Sequence, residues 1–255
     1  MTQARSAKKT TNTAALALSA ALAWAPVAHA AVWNSSNVQL LSGDGYELGE
    51  EKRTILTYEN ALGWAYGDSF IFIDVTEPTS EGTTYYSEWS PRFSFGKIAG
   101  KDLSFGIVKD VMLATTLEMG NGVSATLIGI GLPLDLPGFA FANVNVYARD
   151  SQRDFAAEQT ESGGQVTLTW KRPFAIGPTN WSFEGFMDYA FGEDGGSNPK
   201  EDNIVAAPRL LLDVGSLWGK PGVLEAGIEQ QVWRNKFGID GIDEDVTQAM
   251  VKWIF

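Results

Sequence analysis

The chain has 255 residues, with 19 basic and 31 acidic side chains for a net charge of −12, one histidine and no cysteine. An acidic chain repels a phosphate backbone, so no nucleic-acid partner is expected, and without cysteine there is no disulfide framework. The single histidine, His29, falls in the leader described next. The rest of the chain therefore offers no imidazole for Ser-His-Asp or Cys-His catalysis or for ordinary zinc sites, and neither an enzyme nor a metal or cofactor is expected.

Arg5, Lys8 and Lys9 precede an apolar run from Ala14 to Val27 and the small-residue triplet Ala28-His29-Ala30. This order reads as a secretory signal peptide over residues 1–30, cleaved near Ala30. The run is shorter than the roughly 20 residues of a spanning helix, and no later apolar segment reaches that length.

From Ala31 onward the dominant period is two, with strand-length alternating segments ended by Gly, Pro, Asn or Asp. The pattern predicts about twelve strands, near 52–62, 68–77, 83–96, 102–109, 111–119, 122–132, 139–149, 163–172, 181–191, 202–214, 222–234 and 245–255. In the second, Ile71, Ile73 and Val75 oppose Phe70, Phe72 and Asp74. In the third, Tyr85, Trp89, Pro91, Phe93 and Phe95 oppose Tyr86, Glu88, Ser90, Arg92 and Ser94. Further on, Ala142, Val144, Val146 and Ala148 oppose Phe141, Asn143, Asn145, Tyr147 and Arg149. In 202–214, Ile204, Ala206, Leu210 and Leu212 oppose Arg209 and Asp213, with Val205 and Leu211 blurring the polar face. Glu225, Glu229, Gln231 and Trp233 then oppose Leu224, Ala226, Ile228 and Val232. Charge on one face and aliphatic groups on the other suit a lumen and lipid.

The expected fold is all-β, a closed antiparallel transmembrane β-barrel over residues 31–255 in the outer membrane of a Gram-negative cell, in contact with lipid and lipopolysaccharide. An even strand count puts both termini on the periplasmic side. The long acidic connections 149–163, 191–203 and 234–245 then lie outside, while 109–110, 134–138, 215–222 and 77–82 lie inside. The last segment ends in an amphipathic strand whose Val251, Trp253 and Phe255 share a face, and this resembles the strand signature read by barrel-assembly machinery. Trp64, Tyr66, Trp170, Trp181, Tyr189 and Trp218 are expected near strand ends, as interfacial girdles. A soluble β-sandwich would share the alternation, but not the loop pattern or these aromatics. The loop carboxylates Glu193, Asp194, Glu201, Asp202, Asp243, Glu244 and Asp245 are expected to be solvated rather than to hold divalent cations, because Asp240–Asp245 lacks calcium-loop spacing.

A twelve-stranded barrel encloses a narrow passage that selects by shape and lining. Alternation alone assigns Phe70, Phe72, Asp74, Glu88, Arg92, Phe141, Asn143, Asn145, Tyr147, Glu229, Gln231 and Trp233 to that lining. Aromatic faces stack on flat rings, while amides and carboxylates bond hydroxyls. Glu88 and Arg92 have a second reading as an ion pair across the lumen, and Phe70 and Phe72 as packing filler.

Gly67-Asp68-Ser69-Phe70-Ile71-Phe72-Ile73-Asp74-Val75-Thr76, preceded by Gly63-Trp64-Ala65-Tyr66, resembles the first hairpin of the Tsx-like family of nucleoside-specific outer-membrane channels. Ser90-Pro91-Arg92-Phe93-Ser94, Gly129-Ile130-Gly131 and Pro137 to Arg149 resemble that family in the same order. The resemblance implies a narrow channel passing nucleosides by diffusion, with Phe70, Phe72 and Asp74, then Glu88, Arg92, Asn143 and Asn145, in its lumen. Some family members are phage or colicin receptors, which implies the same possibility for the outer loops. The alternatives are a channel for another small solute and a surface receptor or adhesin without selective transport.

Overall fold

The computed structural model describes residues 31–79, 82–154, 161–193 and 200–255. The expected leader, residues 1–30, lies outside these, as do parts of the connections 153–161 and 191–203. Among the described residues the order is β1 (Trp33–Asp44), β2 (Lys52–Trp64), β3 (Gly67–Thr79), β4 (Gly82–Ser94), α1 (Phe95–Ala99), β5 (Met112–Gly120) and β6 (Val123–Pro133). There follow β7 (Phe141–Arg153), β8 (Glu161–Ile176), β9 (Thr179–Phe191), β10 (Asn203–Ala206), β11 (Arg209–Asp213), β12 (Leu224–Arg234) and β13 (Glu244–Ile254).

Each strand pairs antiparallel with its neighbours, and β1 pairs β13 from Asn37 opposite Ile254 to Gly43 opposite Gln248, so the sheet is closed. β10 and β11 are two halves of one stave. Ala206 faces Met187 and Val232, Arg209 faces Glu184 and Glu229, and the register runs through without a shift. Pro208 brings no N–H to the ladder, which interrupts the stave there. The barrel therefore has twelve staves, as the alternation predicts.

Two errors of reading cancel in that count. The segment 33–44, unread in the sequence, is β1, with Asn37, Gln39 and Leu41 buried and Leu40 exposed. The segment 102–109, expected as a strand, is a tight turn in which Phe105 and Val108 exchange two backbone hydrogen bonds of 3.0 and 2.8 Å around Gly106, whose φ is 55°. Its Leu103, Phe105 and Ile107 alternate like a strand, but glycines at 100 and 106 break the extended run. Omitting β1 also inverted the first connections. The turn near 79–82 lies at the end away from the termini, not beside them. The expected contrast in loop length is only partial, because 95–111, at the terminal end, is longer than any connection at the distal end. Ser94, expected to continue a strand to 96, instead caps α1 by accepting from the Lys97 amide at 2.9 Å, and Gly100 closes the helix at φ 63°. Trp170 sits within β8 rather than at its end, its ring 5.7 Å from that of Phe183.

The outward face carries Leu40, Leu56, Ile73, Val75, Ile128, Val146, Ile228 and Val251, all exposed. Water would not tolerate such a continuous apolar band on a monomer, whereas lipid requires it. Leu40, in the middle of β1 and 53% exposed, is set between Leu56 and Val251. Leu40→Arg should lower stability by about 2–4 kcal/mol, the cost of a cation on the lipid face near the bilayer centre. Urea unfolding of the protein refolded into lipid vesicles measures this, and an unchanged midpoint would show that Leu40 does not face lipid.

Candidate functional site: the barrel lumen

The inward face is identified by side chains that reach each other across the sheet. Arg209 on β11 donates to Glu59 on β2 at 3.0 Å, although β12, β13 and β1 lie between them in the sheet. Its Nε donates to Glu229 at 2.5 Å. This chord is extended by Asn37, which donates to Glu59 at 3.1 Å, and by Gln39, which donates to Asn37 at 2.8 Å. Gln248 donates to Glu229 at 2.8 Å and accepts from the Tyr46 hydroxyl at 2.5 Å. Burial raises the pKa of Tyr46, so its hydroxyl stays a donor.

Beside the chord, Leu41, Leu211 and Met250 form an apolar cluster with Ile55 packed against it. Leu211, fully buried, blurred the alternation because the inward face is not uniformly polar. Toward the terminal end, Lys171 and Lys252 share Glu184 and Glu225, with Lys252 2.5 Å and Lys171 2.7 Å from Glu184. Toward the distal end, Arg149 binds Glu118 at 2.6 Å, Gln165 at 2.8 Å and Glu193 at 3.3 Å. Lys200 meets Glu193 at 2.6 Å, and Arg153 pairs with Glu161. Within these clusters each charge taken from water has an opposite partner, as a narrow interior requires.

The opposite wall differs. On β3 and β4 a ladder of rings runs Phe70, Phe72, Tyr86, with centroids 6.1 and 5.8 Å apart. Asp74 and Glu88 stand on the same faces, Asp74 accepting from Thr57 at 2.5 Å and Glu88 from Tyr86 at 2.8 Å. On β9, Asp188 accepts from Thr167 at 2.5 Å. Among the described residues none of these three carboxylates has an ion-pair partner. On the adjoining β5–β7 wall Ala114, Ala125 and Leu127 pack around Tyr147, while Glu118, Arg149 and Arg153 carry charge toward the distal end.

Register places all twelve sequence-assigned lining residues on the inward face. They are not gathered into one cluster. Phe70, Phe72, Asp74 and Glu88 are brought together. Arg92 does not pair with Glu88, but holds Asp68 through two bonds of 2.7 and 2.9 Å. Asn143 donates to Thr169 at 3.0 Å, and the buried Asn145 leaves its carbonyl oxygen without a partner. Phe141, at the start of β7, is 44% exposed. Glu229 belongs to the Arg209 chord, and Gln231 donates to Glu244. Trp233 packs on Phe237, with centroids 4.8 Å apart, below the distal connection.

Several inward residues escaped the sequence reading. Asn37 and Gln39 lay in the unread β1, whose alternation would have disclosed them. Asp188 and Glu184 lie on β9, where the same test picks out Ser182, Glu184, Phe186 and Asp188.

The distal carboxylates are tied down rather than merely solvated. Glu244 pairs with the buried Lys236 at 2.6 Å, Asp245 with Arg234 at 2.9 Å, and Asp202 accepts from Tyr189 at 2.7 Å. Burial lowers the pKa of Lys236 while Glu244 opposes the shift. Asp194 lies outside the described residues.

A closed twelve-stave barrel with an aromatic ladder along one wall narrows the comparison with known proteins. The family model for the nucleoside-specific channel-forming protein, Tsx, matches residues 29–215. The chain belongs to this family. It is a channel family rather than an enzyme family, and its place is the outer membrane. The Tsx nucleoside-specific channel-forming protein of Salmonella typhimurium is 26% identical over 184 residues, covering 68% of this chain and 64% of that one. Outer membrane protein OmpK of Vibrio parahaemolyticus is 27% identical over 136 residues, covering 50% of this chain and 49% of that one. The matches therefore span about half the length of OmpK and under two thirds of Tsx. Among solved structures, the NanC porin aligns with a TM-score of 0.51 at 10% identity, covering 86% of this chain and 98% of that one, a likeness of fold alone.

Removing the chord tests how far it fills the passage. Arg209→Met leaves Glu59 and Glu229 facing each other and should cost about 3 kcal/mol, as for a broken buried pair, while single-channel conductance rises. Planar-bilayer recording checks the second effect. An unchanged conductance would mean that the chord does not lie in the current's path.

Proposed function

We propose that this protein is a passive outer-membrane channel for nucleosides. The observation that carries this reading is the ladder Phe70, Phe72 and Tyr86 beside Asp74 and Glu88, whose oxygens are held by hydroxyl donors rather than by cations. A nucleobase is a flat ring that stacks on such faces, and its sugar presents hydroxyls that donate to carboxylates. The opposite charged wall narrows the lumen and keeps it wet. A free phosphate meets a chain of net charge −12, so the neutral nucleoside is favoured over the nucleotide. Membership of the family supports the same solute.

Reconstituted into planar bilayers, the protein should show a small conductance that adenosine or thymidine reduces and that sucrose at equal concentration does not. Phe72→Ala should raise the half-blocking nucleoside concentration about tenfold, since stacking of a base on an aromatic ring contributes roughly 1–3 kcal/mol. A wide conductance indifferent to nucleosides would overturn the reading, and block by sugars or short fatty acids instead would point to another small solute.

A further inference from the structure

At the end of the barrel that carries the termini, two connections leave the wall, 95–111 between β4 and β5 and 214–223 between β11 and β12. The first is built by the Ser94 cap, the left-handed Gly100 and the turn at Gly106, and it turns Phe95, Ile98, Phe105 and Ile107 outward. The second is a 3-10 turn capped by Asp213, which turns Leu217 and Trp218 outward. These side chains are as exposed as the lipid-facing band, with Ile98 57% and Trp218 52% accessible, yet they lie beyond the ends of the strands. Exposed lysines stand among them. Lys97 and Lys101 flank Ile98, and Lys220 follows Trp218. Among the described residues these three make no ion pair, while Lys109 nearby pairs with Asp135 at 3.6 Å. The terminal rim also carries the exposed Asp102 and Asp135, while the distal end is richer in carboxylates, among them Asp44, Glu51, Asp240 and Asp243.

We propose that this rim is a docking surface for anionic phospholipid of the inner leaflet. Apolar side chains at the headgroup boundary bury themselves among acyl chains, and lysines beside them reach the phosphates. Each basic group near an anionic surface adds attraction, and these lysines are exposed and, among the described residues, outside any ion pair, although Asp102 follows Lys101. In bacterial barrels the end carrying the termini is periplasmic, so the leaflet it meets is the phospholipid one. The two connections lie six staves apart around the rim, and each sets lysine beside aliphatic or aromatic side chains, a pairing that suits anionic headgroups with acyl chains beneath them better than an acidic-faced or a purely apolar protein. The proposal is independent of which solute crosses the lumen.

With no native cysteine, a single introduced one is labelled alone. Ile98→Cys, Leu217→Cys and, as a distal reference, Asp240→Cys would carry an environment-sensitive fluorophore. Each labelled protein is refolded in vesicles of phosphatidylcholine, with and without phosphatidylglycerol, and folding is verified by its heat-modifiable electrophoretic mobility. The two rim labels should emit at shorter wavelength than the reference and be quenched by brominated lipid, more strongly when phosphatidylglycerol is present. Combining Lys97→Gln, Lys101→Gln and Lys220→Gln should abolish the difference between the two lipids. Rim labels with water-like emission in both bilayers would overturn the proposal and leave the rim to a periplasmic protein. Equal quenching in both lipids with the lysines intact would overturn the recognition of charge.

Discussion

Inside a bilayer there is no water to satisfy a backbone amide, and each one left without a partner costs several kcal/mol. An open sheet has two edges of such groups. The ladder joining β1 to β13, from Asn37 opposite Ile254 to Gly43 opposite Gln248, removes them both. Closure then imposes the rest. Successive side chains point to opposite faces, so one set must suit lipid and the other must live inside a tube of twelve staves. Even Pro208, which cannot donate to the ladder, is accommodated without a register shift because Ala207 and Gln230 bond around it to Phe186 and Pro208 carbonyls.

A tube of this width is too narrow to be a bulk water channel and too wide to be filled by side chains alone. The protein resolves this unevenly. The wall formed by β11, β12, β13, β1 and β2 reaches inward with long paired charges and the Leu41, Leu211 and Met250 cluster. Midway along β5, β6 and β7 the wall carries small residues, Ala114, Ala125 and Gly129, around Tyr147. At Gly129 a Cβ would stand 1.9 Å from the Val146 carbonyl oxygen. Matched charges hold the filled wall rigid, because separating any one pair leaves a carboxylate or cation poorly solvated.

The two mouths differ in chemistry. The distal one is drawn together by ion pairs such as Lys236 with Glu244 and by the Phe237 ring over Trp233. Asn235 and Phe237 there adopt left-handed backbone angles, φ 49° and 58°, an arrangement held by the surrounding bonds rather than by local preference. The terminal mouth instead exposes apolar and basic side chains. A protein assembled between lipopolysaccharide outside and phospholipid inside meets a different surface at each end.

Strand identity, the lipid-facing band and the inward side of Phe70, Phe72, Asp74, Glu88 and Glu229 were legible in the sequence, because a period of two is local and survives any tertiary arrangement. The absence of histidine beyond residue 29 bounded the chemistry equally early. What lay beyond reach was decided by distance through space. That Arg92 holds Asp68 and not Glu88, or that Arg209 reaches Glu59, depends on the stagger of the staves around the tube. No spacing along the chain encodes that stagger. Leu103, Phe105 and Ile107 show the same limit from the other side. Their alternation is that of a strand, yet the glycines around them and the capped turn at Ser94 make a loop. Alternation alone determined which residues face inward, whereas only the closed tertiary structure decided which of them meet, because partners across a lumen are set by curvature and register rather than by sequence neighbours.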